Sequence, residues 1–416
     1  MNIAVVGAGV SGLVAALLLS EDHEVTVFEA AAHPGGHTNT VEVETERGRW
    51  AVDTGFIVFN DRNYPNFERL LARLGVGSQP SDMSFSVADP DGRFEYSSTS
   101  LRGLYATPAN RRDPRFHRMV LEVPRFQRVC RRLLASGANP GRSLTALLAD
   151  EGFSDFFITR LIVPQAAAVW SADPADMDRF PARFLAEFFA NHGMLSLTHR
   201  PQWSTVRGGS RSYVRAICER LGDRVRLRSP VTAIRRVPDG VTVSTAGRTE
   251  TEPFDEVVIA THSDQALALL ADPTPREQEL LSAVPYQPNE AVLHTDTSLL
   301  PRHRQAWASW NYHLLDPPAP RAAVTYHMNR LQSLTADREF CVTLNHSDAI
   351  DPELVIARFS YAHPIYTPAG IAAQARVGEI SGVNHTHYCG AYWGWGFHED
   401  GVLSALRVTE RFGARL

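Results

Sequence analysis

The stretch NIAVVGAGVSGLVAALLLSEDHEVTVFE, residues 2–29, decides the fold. Asn2 to Val6 is a short apolar β run, Gly7 to Gly12 a glycine turn, and Leu13 to Leu19 an unbroken apolar segment suited to a buried helix. His23 to Glu29 then alternates as a second strand that ends in an acid. Strand, turn, helix and strand in about thirty residues make a βαβ unit. Gly7 permits the tight turn, Gly9 lets backbone approach a pyrophosphate, and Gly12 lets helix and strand close up, while the helix start aims its positive end at the phosphates. Glu29 follows Gly7 by 22 residues. It is placed to accept hydrogen bonds from a ribose diol and would repel a 2′-phosphate. The pattern reads as a dinucleotide site and does not distinguish FAD from NAD.

Outward from this unit, helical periodicity rich in Phe, Leu and Arg runs from about Tyr64 to Thr205. Strand signals return from Val225 to Val258 around a turn at Asp239-Gly240. Ala271 to Arg376 is mixed and proline-punctuated and cannot be assigned in detail. The tail from Thr386 reads as a strand, a Gly/aromatic loop and a closing helix from about Asp400.

Composition narrows the classes further. With 44% hydrophobic and 21% charged residues the chain is an ordinary globular protein, and a net charge of −5 argues against wholesale nucleic-acid binding. Four cysteines without a C-x-x-C exclude the usual zinc and dithiol spacings and suit a reducing compartment. All 41 basic residues are arginine, so a Walker A lysine, a lysine Schiff base and a lysine general base are excluded. No apolar run is long enough to span a membrane, and a strand at residue 2 leaves no room for a signal peptide. A cytoplasmic protein is expected.

Further motifs name the cofactor. Glu29-Ala30 is followed by Pro34-Gly35-Gly36-His37 and Val52-Asp53-Thr54-Gly55, then by Gly208-Gly209-Ser210 ahead of a helix. Later come Ser229-Pro230-Val231 through Val258-Ile259-Ala260-Thr261, and Gly390 with Glu399-Asp400-Gly401-Val402. This succession resembles the flavin-containing amine oxidoreductase superfamily of amine oxidases, protoporphyrinogen oxidase and phytoene-type desaturases. It is also similar to a bacterial subgroup associated with cyclopropane-type and methylated fatty acid synthesis. The resemblance implies FAD. Gly7, Gly9, Val10, Ser11 and Gly12 would hold its pyrophosphate, and Glu29 with Ala30 its adenosine ribose. Gly35, Gly36, His37 and Thr38 would pass beside the flavin half, Thr54, Gly55, Phe56 and Ile57 would approach the ring, and Val231 and Thr261 would lie at the adenosine side. Gly390, Asp400, Gly401, Val402 and Leu403 would bring a helix start to the ring's pyrimidine edge. Two departures stand out: His37 replaces the family's usual arginine, and Ala391-Tyr392 replaces an acid that binds the ribityl chain.

The resemblance also implies an α/β fold: a Rossmann-like FAD-binding domain assembled from 1–63, 205–270 and 380–416, with an inserted α+β substrate domain formed by 64–204 and 271–379. No second dinucleotide fingerprint is visible, so the expected electron source is the substrate itself rather than NAD(P)H. Amine oxidation is disfavoured because many amine oxidases of this superfamily use a lysine that this chain lacks. The expected catalytic groups are His398, over the flavin as a proton acceptor or else satisfied in a tight loop, and Tyr392, which with Trp393 and Trp395 walls the substrate site or packs a core. Phe153, Phe156, Phe157, Phe180, Phe184, Phe188 and Phe189 line an apolar tunnel or fill a helical core. In Arg115 to Leu134 an apolar stripe of Phe116, Met119, Val120, Val123, Phe126, Cys130, Leu133 and Leu134 is flanked by arginines. That segment either faces the core or lies peripherally on anionic membrane at the inner surface. The expected activity is hydride removal from an apolar or fatty acyl substrate, by a desaturase or oxidase of lipid metabolism. The alternatives are an amine or porphyrinogen-like oxidase and a non-catalytic flavin-binding partner of a lipid-modifying complex.

Overall fold

The computed structural model describes residues 1–136, 142–170, 173, 180–196, 201–317 and 320–416. Its centre is a five-stranded parallel sheet. Strand β1 (Asn2–Val6) pairs on one side with β2 (Glu24–Phe28), which pairs with Val225–Arg226. On its other side β1 pairs with Glu256–Ile259, which pairs with Thr386–Tyr388. Helix α1 (Val10–Leu19) is buried from Ser11 onward, as its apolar sequence requires of a helix covered all round. The sheet thus draws strands from the beginning, middle and end of the chain, and the helix His398–Thr409 packs beside α1.

A second sheet of seven strands stands apart in sequence. Its order runs Val355–Pro364, Tyr286–His294, Cys341–Leu344, Val324–His327, Trp310–His313, Phe85–Ala88 and Glu95–Ser97. Only the Trp310–His313 and Phe85–Ala88 pair is parallel. The stretch that reads as helical from Tyr64 to Thr205 therefore also supplies strands to this sheet. Those strands are three or four residues long, too short to show alternation against a helical background.

The helical layer decides two of the alternatives left open by the sequence. The stripe of the long helix Pro114–Ala135 faces inward: Phe116, Met119, Phe126, Cys130 and Leu133 are buried, and Val120, Val123 and Leu134 pack on the same core. It is not free to enter a headgroup boundary. Of the two readings of the phenylalanines, the helical core holds, Phe126 lying edge-on to Phe153 and Phe189, and Phe153 stacking on Phe157. No helix among the described residues is long and apolar enough to cross a membrane.

Candidate active site

At the carboxyl ends of the parallel strands lies a cavity of about 700 Å³. Open parallel sheets place their ligands at this edge because the strand ends and helix starts converge there. Gly7 leaves β1 at φ +102°, and a Cβ there would sit 3.0 Å from the Ala260 carbonyl oxygen. A Cβ on Gly12 would lie 1.9 Å from the Gly7 oxygen, so helix and turn close only over glycine. Beside Gly9, by contrast, there is open space facing the cavity. No side chain caps α1 and no acid occupies its first turn, which leaves the positive end of the helix to a ligand. The second glycine turn is stitched to the first: the Gly35 amide donates to the Ala8 carbonyl at 2.8 Å, and Gly36 sits against the Gly9 Cα. Glu29 completes this end, its two oxygens accepting from the Ala8 and Ala31 amides at 2.8 Å each.

The closing helix starts at His398 rather than at Asp400. Asp400 instead accepts a hydrogen bond from the Phe397 amide at 2.9 Å and caps the turn, and burial raises its carboxyl to about 6. Gly401 abuts α1: a Cβ there would meet Val10 Cγ1 at 2.7 Å and Ser11 Oγ at 3.0 Å, so glycine brings the two helix starts together. His398 stacks on Phe56 with ring centroids 3.4 Å apart. Its Nε2 lies 2.9 Å from Thr38 Oγ1 and 3.0 Å from the Tyr213 hydroxyl, and those two oxygens are 2.6 Å apart. Full burial, and His37 nearby, hold the imidazole well below its usual pKa. A neutral ring is a weak proton acceptor, and His398 both stacks on Phe56 and lines the cavity.

Of the residues singled out in the sequence, Gly7, Gly9, Val10, Ser11, Glu29, Ala30, Gly35, Gly36, His37 and Thr54 to Ile57 line the cavity. So do Val231, Thr261, Gly390, Tyr392 and His398. Gly12, Thr38, Asp400, Gly401, Val402 and Leu403 do not, and stand one layer behind. Burial also holds the Tyr392 phenol well above its ordinary pKa, hence protonated.

His37 has company that the sequence did not announce. Its ring lies 5.5 Å from His363, 5.7 Å from His262 and 5.1 Å from Tyr361. Desolvation and mutual repulsion lower His37 to about 3 and His363 to about 4, so the trio is neutral near pH 7. Tyr361 and His363, two residues apart on one strand, share a face of the second sheet. The Tyr361 hydroxyl reaches Thr54 Oγ1 at 2.9 Å and ties the second sheet to the segment that follows strand Gly48–Asp53. Beyond them the cavity turns aromatic, with Trp170, Trp310, Tyr326, Tyr366, Trp395 and Phe397 among its walls. Among the described residues Glu29 is the sole carboxylate lining the cavity, and no arginine lines it.

Asp53 was also not singled out. Its fully buried carboxylate accepts from Thr40 Oγ1 at 2.6 Å, Ser210 Oγ at 2.8 Å and Gln332 Nε2 at 2.9 Å, and burial raises it to about 7. It ties three distant segments together behind the cavity floor.

Residues 10–306 match the profile of the flavin containing amine oxidoreductases. The chain belongs to that family. Its cofactor is FAD. An L-amino-acid oxidase of Siganus canaliculatus is 25% identical over 310 residues, 71% of this chain and 57% of that protein, so the chain spans less than two thirds of that relative's length. Cyclohexylamine oxidase from Brevibacterium oxydans shares the fold, with TM-score 0.71 at 16% identity over 99% of each chain. A CLA-producing fatty acid isomerase from P. acnes gives 0.69 at 17% identity, over 99% of this chain and 98% of that one. The α/β fold read from the first thirty residues is thereby borne out for this flavoprotein.

Proposed function

We propose that this flavoenzyme oxidises a neutral apolar substrate, and that the substrate is a fatty acyl chain, desaturated or otherwise oxidised at a C–H bond. The observation that carries this reading is that no charged side chain among the described residues lines the aromatic half of the cavity. Glu29, the one lining carboxylate among those residues, stands at the opposite end beside the glycine turns. An ammonium or carboxylate substrate would shed its water among Trp310, Tyr326 and Trp395 without a counter-ion, at a cost of several kcal/mol. An acyl chain gains about 25 cal/mol for each Å² it buries there. The resemblance to a bacterial fatty acid subgroup, and a fold shared with a fatty acid isomerase, support the same choice.

The residues present fit FAD: an uncapped helix start, open space at Gly9 and a carboxylate at the end of β2. In this reading Gly7 to Gly12 hold the pyrophosphate, Glu29 the adenosine ribose, and Val231 and Thr261 flank the adenosine half. When bound, FAD supplies a hydride acceptor. The aromatic walls exclude water from the reacting C–H bond and hold the chain in place, while Thr38, Tyr213 and His398 fix Phe56 against it.

Anaerobic mixing of the yellow holoenzyme with candidate substrates tests the reading. Fatty acyl lipids should bleach the flavin absorbance near 450 nm (a standard flavin band), and cyclohexylamine, putrescine and L-amino acids should not. Bleaching by amines with none by acyl lipids would overturn it, and no bleaching by any of them would return the protein to a binding role.

A further inference from the structure

The chain is acidic overall, yet residues 101–136 carry nine arginines against Asp113 and Glu122. Burial of the apolar stripe of Pro114–Ala135 turns the opposite side outward, where Arg118, Leu121, Arg128 and Arg132 follow one another at three, seven and four residues and are all exposed. Leu121 is 74% exposed and Leu101 76%, the two most exposed large hydrophobic side chains among the described residues. They belong to one surface. Tyr105 stands one turn after Leu101 and its ring lies 5.7 Å from His117, which is itself one turn before Leu121.

Ion pairs neutralise part of this face: Asp113 holds Arg115, Glu122 holds Arg118, and Glu151 holds Arg132. Other arginines are held by carbonyl oxygens, Arg111 by that of Tyr105, Arg125 by that of Glu151 and Arg131 by that of Leu195. A carbonyl fixes a guanidinium without cancelling its charge. The result is a surface of net positive charge bearing two leucines directed at solvent.

We infer that this face, the outer side of the long helix together with the Leu101–Leu104 turn, docks on an anionic lipid bilayer. Arginine meets lipid phosphate, and leucine enters the headgroup boundary. The leucines favour a bilayer over nucleic acid, which offers phosphate but no apolar phase. The inference rests on the surface alone and stands or falls independently of the substrate reading.

The test is co-sedimentation of the holoenzyme with phosphatidylcholine vesicles, with and without phosphatidylglycerol. Binding is expected only to the anionic vesicles and should weaken with added salt. Arg112→Gln with Arg128→Gln should lower the partition coefficient roughly 25-fold, at roughly fivefold for each arginine. Leu101→Ser with Leu121→Ser should lower it roughly tenfold, and because all four side chains are exposed, the variants should keep the parent's flavin content and melting temperature. Failure to bind anionic vesicles would overturn the proposal. So would binding that the leucine pair does not change, since that is the behaviour of a generic polyanion site and would be matched by single-stranded DNA.

Discussion

At one end of the cavity the wall is backbone, and at the other it is side chain. Gly7, Gly9, Gly35 and Gly36 shape the first end through amides, carbonyls and the absence of Cβ atoms, with Glu29 as its fixed charge. Trp170, Trp310, Tyr326, Tyr366 and Trp395 shape the second through ring faces. A wall of backbone leaves a motif in the sequence because only glycine satisfies it. A wall of ring faces leaves none, since many apolar side chains would serve. The first end is therefore written in local motifs, and the second in the meeting of distant segments.

The harshest way to break that contrast is Gly12→Ala. The added Cβ would stand 1.9 Å from the Gly7 oxygen and 3.0 Å from the Ala260 Cβ, and neither belongs to a flexible side chain. Loss of bound FAD is expected together with about 1–3 kcal/mol of stability, read as flavin absorbance per chain and as melting temperature. Gly9→Ala is the matched control: nothing lies within 4 Å of its Cβ, so the fold should hold while FAD affinity falls. If Gly12→Ala remains yellow and as stable as the parent, the close approach of α1 to its turn is not what selects glycine.

Trp395→Ala probes the other end. Truncation there removes about 1.5–3 kcal/mol of apolar contact, or about 10- to 100-fold in kcat/KM for an acyl substrate. Flavin content should stay unchanged, because the Trp395 carbonyl that accepts from Trp170 Nε1 is backbone. Unaltered kinetics would place the substrate elsewhere. Glu29→Gln returns to the first end with a smaller effect. One of its two charge-assisted bonds to the Ala8 and Ala31 amides would be lost, and FAD should bind about tenfold more weakly. Retained affinity would remove Glu29 from the ribose site.

Legibility followed the same division. The turn at Gly7–Gly12, Glu29, the Gly35-Gly36 pair and the convergence of the first and last helices all have local signatures, because each solves a backbone problem. The sequence pattern puts the start of the closing helix two residues late, at its acid, whereas Asp400 accepts from the Phe397 amide inside a helix that begins at His398. The second sheet was not legible at all. Trp310, Tyr326 and Tyr361 arrive from three different strands, and two of these are only four residues long. Their meeting is fixed by long-range pairing that no window of sequence contains. Even the long helix, whose periodicity was plain, did not say which side faced water, because an apolar stripe suits a protein core and a membrane equally.

The subtlest contrast lies where the two ends meet, at His37, His262 and His363. In the unfolded chain each imidazole titrates near 6.5, whereas the folded apoprotein holds His37 near 3 and His363 near 4. The unfolded state therefore binds more protons between those limits. The stability that the neutral trio contributes is complete above about pH 6.5 and is lost as pH falls toward 4. Asp53, raised to about 7, has the opposite sign and stabilises toward acid, so total stability alone does not isolate the trio. The difference between the parent and His37→Asn does. A pyrophosphate beside these rings would favour their charged forms, so FAD binding should take up protons and tighten a few-fold between about pH 7.5 and about pH 5.5. Titrations of flavin fluorescence at the two pH values, with calorimetry in two buffers to count protons, measure this directly. His37→Asn should flatten the slope. An equal slope in both proteins would mean that the phosphates do not lie against this histidine, and that the replacement of the family's arginine at position 37 is electrostatically silent.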